Sequence, residues 1–234
     1  MSLLLGCAGW SLPRGCQNLF PVQGSHLQRY SQVLGAVEIN SSFYRPHRPA
    51  TYARWAQSVP AGFRFSVKMP KQITHVARLN DCSTLLDEFL GQCAALGDKL
   101  GCLLVQLPPS LHYQAEAAEE FFTALRERYS GAVALEPRHP SWLQAQPLLI
   151  EQRIARVAAD PAPIAGGDIP GGWNGFEYWR LHGSPRIYYS AYGQAYLQRL
   201  VEHLPTDRPV WVIFDNTAGG EAVGDALLLK QLAS

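Results

Sequence analysis

The sequence predicts an α/β protein, a single (β/α)8 barrel of the TIM type. Three observations predict it. Short apolar runs rich in Val, Leu, Ile and Phe recur through the whole chain, and segments with helical spacing lie between most of them. No G-x-G-x-x-G follows the first run, as it would in a doubly wound dinucleotide-binding sheet. Apolar strands alternating with helices imply a parallel sheet covered on its faces. About eight such units suit a barrel better than an open sheet. The 234 residues fit one undivided domain over 1–234.

The strand candidates are the runs at 3–9, 36–40, 63–68, 102–107, 132–136, 155–160, 178–183 and 210–216. The first helix has an N-cap candidate in Ser25 and ends near Gly35. A second opens at Ser83 and closes at Gly97. The segment 115–129 carries acids early and arginines late, which suits the helix dipole. Another helix spans 195–204, ahead of Pro205. One unit is irregular: PAPIAGGDIPGGWNGF (161–176) is too rich in Gly and Pro for a helix. A loop, in position to act as a lid, is expected to replace the helix between strands six and seven.

Composition narrows the function classes. A formal net charge of +1 supplies no field that would recruit nucleic acid or a membrane. No apolar run reaches about 18 residues, so no transmembrane helix is expected. Leu4-Leu5-Gly6-Cys7 looks like a lipoprotein box, but no basic segment precedes it, and it is read as the first strand. Five cysteines at irregular spacing, with no C-x-x-C, read as reduced thiols of a cytoplasmic protein.

The informative pattern is where polar residues fall. In Val37-Glu38-Ile39-Asn40, alternation sends Val37 and Ile39 towards the helices and Glu38 and Asn40 towards the axis. Lys68 ends the third run and Gln106 the fourth. Glu136, Arg138 and His139 end the fifth, and Asp160 the sixth. Arg180 and His182 alternate along the seventh, and Asp215 and Asn216 end the eighth. Barrel active sites are built at this C-terminal face. A bland reading stands beside the functional one. Glu38 and Arg180 would make a structural ion pair inside a barrel, and His139 would cap a helix that starts at Pro140.

These residues resemble domain of unknown function 72, the YecE-like TIM-barrel family. The likeness runs through GCAGWS (6–11), VEINSSFYR (37–45), the Ala53–Trp55 segment and GFRFSVKMPKQITH (62–75). It continues through LGDKLGCLLVQLPPS (96–110), EPRHPSW (136–142), YWRLHG (178–183) and FDNTAGG (214–220). It implies a single barrel and a bacterial-type cytosolic protein, and it implies no settled function. The chain departs from the family pattern at Leu12 and Pro137, where aromatics are usual, and at Asp215, where a second asparagine is usual.

The strand ends suggest an enzyme of the hydrolase type, using acid/base chemistry on a small polar or anionic ligand such as a sugar or phosphate ester. Glu38 and Glu136 are the favoured acid/base pair, with Asp160 and Asp215 as alternates. Asn40, Tyr44, Lys68, Gln106, Arg138, His139, Trp142, Arg180, His182, Tyr192 and Asn216 would bind the ligand; Trp10 and Trp173 are further aromatic candidates. Lys68 is read as an anion partner whose pKa neighbouring acids would raise, which disfavours a Schiff-base role. No cofactor is expected. A metal-dependent phosphoester hydrolase or isomerase, with ligands among Glu136, His139, Asp160, His182 and Asp215, is one alternative. A non-catalytic barrel that binds an anionic ligand is another.

Overall fold

The computed structural model describes residues 2–234. Among the described residues it is a mixed α/β fold of ten strands and seven α-helices. The strands are β1 (Leu3–Cys7), β2 (Ala36–Ile39), β3 (Arg64–Lys68), β4 (Leu100–Gln106), β5 (Val133–Glu136), β6 (Ile154–Arg156), β7 (Ala158–Asp160), β8 (Gly171–Gly172), β9 (Glu177–Leu181) and β10 (Val210–Phe214). The helices are α1 (His26–Ser31), α2 (Pro49–Gln57), α3 (Ser83–Cys93), α4 (Ala115–Arg128), α5 (Gln146–Glu151), α6 (Gln194–His203) and α7 (Glu221–Leu232). No helix is long and apolar enough to cross a membrane among the described residues.

Local chemistry explains several boundaries. Ser25 caps α1 in a reciprocal box: its hydroxyl accepts from the Gln28 amide, and the Gln28 side chain accepts from the Ser25 amide. In α4, Glu116 lies in the first turn and Arg126 and Arg128 in the last. Helices α2, α5 and α7 were not singled out in the sequence; the first two open with Pro49 and Pro147 in the first turn.

The strands form two sheets, ordered β1-β10-β9-β7 and β2-β3-β4-β5-β6-β8. Every ladder is parallel except β6 with β8. The sixth run, read in the sequence as one strand, changes partners halfway. Val157 still donates to the Leu135 carbonyl of the second sheet, and Ala158 already pairs with Trp179 of the first. On the other side, β1 approaches β2. Ala8 bridges Glu38, and the Tyr30 hydroxyl accepts from the Cys7 amide (2.8 Å) and donates to the Ala36 carbonyl (2.9 Å). Gly6 is required at this approach, because a Cβ there would overlap the Ala36 carbonyl.

Strand alternation divides the interior. Val37, Ile39, Phe65, Val67, Leu103, Val105, Val133, Leu135, Val212 and Phe214 pack in the large core that the helices cover. The opposite faces carry a second cluster, Ala36, Cys102, Leu104, Ala134, Ala155, Val157, Tyr178, Trp211 and Ile213. Beyond that cluster, towards the C-terminal strand ends, the same faces turn polar.

The segment 161–176 contains no α-helix, as its composition predicts. It does not stand free as a lid. The Gly167 carbonyl accepts from Ala159, Gly171–Gly172 pair with β6, and the Gln146 side chain binds the Gly172 backbone.

Candidate functional site

Arg180 is the centre of the polar cluster and is fully buried. Its Nε and Nη2 reach the two Glu38 oxygens at 3.0 and 2.7 Å, Nη1 reaches Glu136 at 2.5 Å, and Nη2 also reaches Asp215 at 3.0 Å. The Tyr178 hydroxyl donates to Glu38 at 3.0 Å and lies 2.8 Å from the Ser66 hydroxyl. Four strands, β2, β5, β9 and β10, therefore converge on one guanidinium. Buried charges persist only when paired in this way.

Two further cations complete the cluster. Arg138 holds the outer oxygen of Glu136 at 2.8 and 2.9 Å. The His182 ring stands between two acids, with Nδ1 3.0 Å from Asp215 and Nε2 3.4 Å from Glu136. Burial would raise the Glu136 pKa, but Arg180, His182 and Arg138 outweigh it and hold the carboxyl well below the usual range. Asp215 is depressed for the same reasons. Burial opposes charge on His182, yet Glu136 and Asp215 prevail and lift its pKa above the ordinary value.

The favoured pair Glu38 and Glu136 does meet, but with Arg180 between the two carboxylates. The guanidinium, bonded to both, takes the place between them where a two-carboxylate glycosidase needs its scissile bond. Glu38, with no exposed surface, is the structural counter-ion that the bland reading described.

Several polar atoms at these strand ends have no partner. The Lys68 ammonium makes no hydrogen bond or ion pair among the described residues, and it lies 4.4 Å above the centroid of the Phe43 ring. Burial and the Arg180 charge push it down to about 8, against the pull of three acids. This reverses the direction expected from sequence, because burial, with the Arg180 charge, outweighs the nearby carboxylates. Asn40 Oδ1 and His182 Nε2 are buried without a hydrogen-bond partner. Gln106 is buried beside Glu136 in the β4–β5 register.

The remaining candidates lie outside this cluster. Trp142 is buried against Tyr113 and donates its indole N–H to the Leu111 carbonyl, so it packs the core. The Tyr192 hydroxyl binds Asp160 and the Gly183 amide, which occupies both residues locally. The Asn216 amide ties Ser190 to Asp225. His139 accepts from the Ser141 amide and caps the next turn, and its ring centroid lies 3.8 Å from that of His112 with the planes tilted by 41°. Tyr44 is exposed, Trp10 packs against Trp55 and Trp173 against Phe176. Among the described residues no group of three or more His, Cys, Asp or Glu side chains is arranged to hold a metal ion.

Sequence reasoning missed three residues. His75 packs edge-on against Phe43, and after burial its pKa is lowered most by the charges of Lys68, Arg138 and Arg78. Arg78 holds Ser110. Tyr188 places its ring 5.8 Å from His182 on the segment after β9. His75 sits inside the GFRFSVKMPKQITH motif, which was the available signal.

A separate cavity of about 750 Å3 opens at the N-terminal strand ends, over Trp211, Trp173 and Phe176. Its Arg126 is tied to four backbone carbonyls and its Arg64 to two, so these arginines hold the fold.

Comparison with known proteins gives a consistent family. The model of the family described as "Protein of unknown function DUF72" matches residues 4–234. The UPF0759 protein YecE of Escherichia coli (strain K12) is 28% identical over 69% of this chain and 60% of that protein. The chain thus spans less than two thirds of that relative. The UPF0759 protein YunF of Bacillus subtilis (strain 168) is 23% identical over 98% of this chain and 94% of that protein. A DUF72 family protein from Thermotoga maritima MSB8 superposes with a TM-score of 0.78 at 24% identity, over 99% of both chains. Another from Enterococcus faecalis V583 gives 0.80 at 20%, over 99% of this chain and 95% of that one. These structural likenesses carry the fold.

Proposed function

We propose a ligand class and a chemistry for this chain, which belongs to the family of proteins of unknown function DUF72. The two sheets are read as arcs of one TIM-type barrel, joined where β6 passes into β7 and where β1 meets β2. The polar cluster then occupies the C-terminal mouth, where barrel sites lie. The protein is read as an enzyme that binds a small anionic molecule, such as a phosphate ester, and moves a proton on it.

The observation that carries this reading is a set of polar atoms at three strand ends with no hydrogen-bond partner among the described residues: Asn40 Oδ1, Lys68 Nζ and His182 Nε2. Burying such groups is costly unless a ligand satisfies them. Charge gives the ligand's sign. Three carboxylates, Glu38, Glu136 and Asp215, are engaged by Arg180, Arg138 and His182, which leaves Lys68, whose charge acts on His75, as a surplus cation among the described residues.

Roles follow from position. Glu38 fixes Arg180. Glu136 and Asp215 keep a proton on His182, which serves as the general acid towards a leaving oxygen. Arg138 holds the anion, and the positive charge of Lys68 favours an anion at the site. This is hydrolase-type chemistry in which His182 takes the acid role that the sequence suggested for a carboxyl group.

Calorimetry and thermal shift with inorganic phosphate, sugar phosphates and neutral sugars test the reading. Phosphate and sugar phosphates should bind, and Arg138→Ala should weaken them about tenfold. Binding of neutral sugars alone, or of nothing in the panel, overturns it.

A further inference from the structure

We infer that Lys68 is a carbonyl-capturing amine: its Nζ forms an imine with an aldehyde or ketone group of the ligand held at the strand ends. The inference deepens the anion-site reading and rests on it for the ligand's charge.

The first support is what Lys68 leaves undone. The chain has only four lysines, Lys68, Lys71, Lys99 and Lys230, against sixteen arginines. Lys99 donates to the Pro60 and Ala61 carbonyls and Lys230 to the Val33 carbonyl; both have structural work. Lys71 is exposed. Lys68 is buried, and no described residue accepts from its Nζ. Where this chain needs a fixed positive charge against acids it uses Arg138 and Arg180. Arg cannot give up its proton, whereas Lys can, so a lysine at this position admits chemistry that an arginine would forbid.

The second support is positioning. The Lys68 backbone is pinned on both sides. Its carbonyl accepts from the Ser42 hydroxyl at 2.6 Å, and the next amide, of Met69, donates to Leu104 at 2.8 Å. The Phe43 ring, 4.4 Å under Nζ, fixes where the amine sits; as a cation–π contact it favours the charged form, and burial is what opposes that charge. A desolvated lysine in such a setting is an activated nucleophile. Its pKa of about 8 leaves an appreciable neutral fraction near that pH.

The third support is proton handling. The neutral amine attacks the carbonyl carbon, the C–N bond forms, and the carbonyl π pair moves to oxygen, which takes a proton from His182. The nitrogen releases a proton, which the imidazole recovers. The imidazolium of His182 then gives its proton to the hydroxyl, which leaves as water, and the nitrogen lone pair closes the C=N bond as a protonated imine beside a neutral imidazole. Amine and carbonyl become imine and water with no change of oxidation state. The protonated imine can withdraw electrons from the neighbouring carbon, which suits isomerisation or carbon–carbon cleavage of an α-hydroxy carbonyl compound.

The test is reductive trapping on the full chain. Glyceraldehyde 3-phosphate, dihydroxyacetone phosphate, pyruvate and neutral glycolaldehyde are each added with sodium borohydride, and the product is read by intact mass and peptide mapping. The expected result is one borohydride-dependent adduct per chain, mapped to Lys68, with a rate that rises through about pH 8. Lys68→Arg, which keeps the charge, should abolish it. No adduct, or slow labelling spread over Lys71, Lys99 and Lys230 and equal in Lys68→Arg, overturns the inference. Mapping on the unaltered protein decides the point even where the variant folds poorly. Phosphate calorimetry separates the two readings. Phosphate binding without a Lys68 adduct removes the amine and leaves the anion site. A glycolaldehyde adduct on Lys68 without phosphate binding does the reverse.

Discussion

Arg180 and Glu38 meet through two hydrogen bonds, at 2.7 and 3.0 Å, although 142 residues separate them in the chain. Neither has any exposed surface. The pair links β9 of one sheet to β2 of the other, so it joins the halves of the molecule at the level of the site.

Breaking one side of such a pair leaves a buried charge without its partner. Glu38→Gln should cost about 3–5 kcal/mol of stability. Arg180→Met strands three carboxylates and should cost more. Urea unfolding of both variants measures the order. An Arg180→Met protein as stable as Glu38→Gln would show that Asp215 and Glu136 do not depend on the guanidinium.

Lys68 should behave in the opposite way. Its ammonium is buried with no hydrogen-bond or ion-pair partner among the described residues and its pKa lies below the ordinary 10.5, so the folded state opposes its charge. Lys68→Met should therefore stabilise the protein at pH 7, by on the order of 1–3 kcal/mol, while removing ligand binding or turnover. A loss of stability would mean that the ammonium has a partner in solution.

The pH profile has a worked sign for each group. Glu136 and Asp215 have folded pKa values below their ordinary 4.5 and 3.8, so their stabilisation is present above those values and is lost as pH falls through the folded ones. His182 is raised above 6.5, so its stabilisation is full below that pH and is lost as pH rises through the folded value. Lys68 acts against His182 above about pH 8. Stability measured in a Lys68→Met background should fall as pH rises above 6.5, and adding His182→Asn should flatten that limb. An unchanged limb would place its cause elsewhere.

The thiols give an independent check on packing. Cys7 and Cys93 are buried and burial pushes each up to about 12; Cys82 reaches about 11. Cys102 is fully buried and also raised, and Cys16 alone among the five is half-buried. A chromogenic disulfide should label one thiol per native chain and five in urea. Rapid labelling of more than one native thiol would mean that the core around β1 and α3 opens.

Much of the fold was legible because it depends on local rules. Alternation in Val37-Glu38-Ile39 placed Glu38 inward, and the acidic start and basic end of α4 marked that helix. The Gly and Pro content of 161–176 excluded a helix there. Missed features depend on contacts between distant elements. Nothing near Val157 announces that the strand changes sheets midway, and nothing near Trp142 shows that its indole faces Leu111.

The sequence by itself determined which side of each strand carries polar atoms and at which end they collect, because a two-residue period and burial cost act within a few residues. Only the tertiary structure decided how those atoms pair. Register and strand order turned Glu38, Glu136 and Asp215 onto Arg180 and so left Lys68 alone. A surplus charge is a property of the whole cluster, and no single strand contains it.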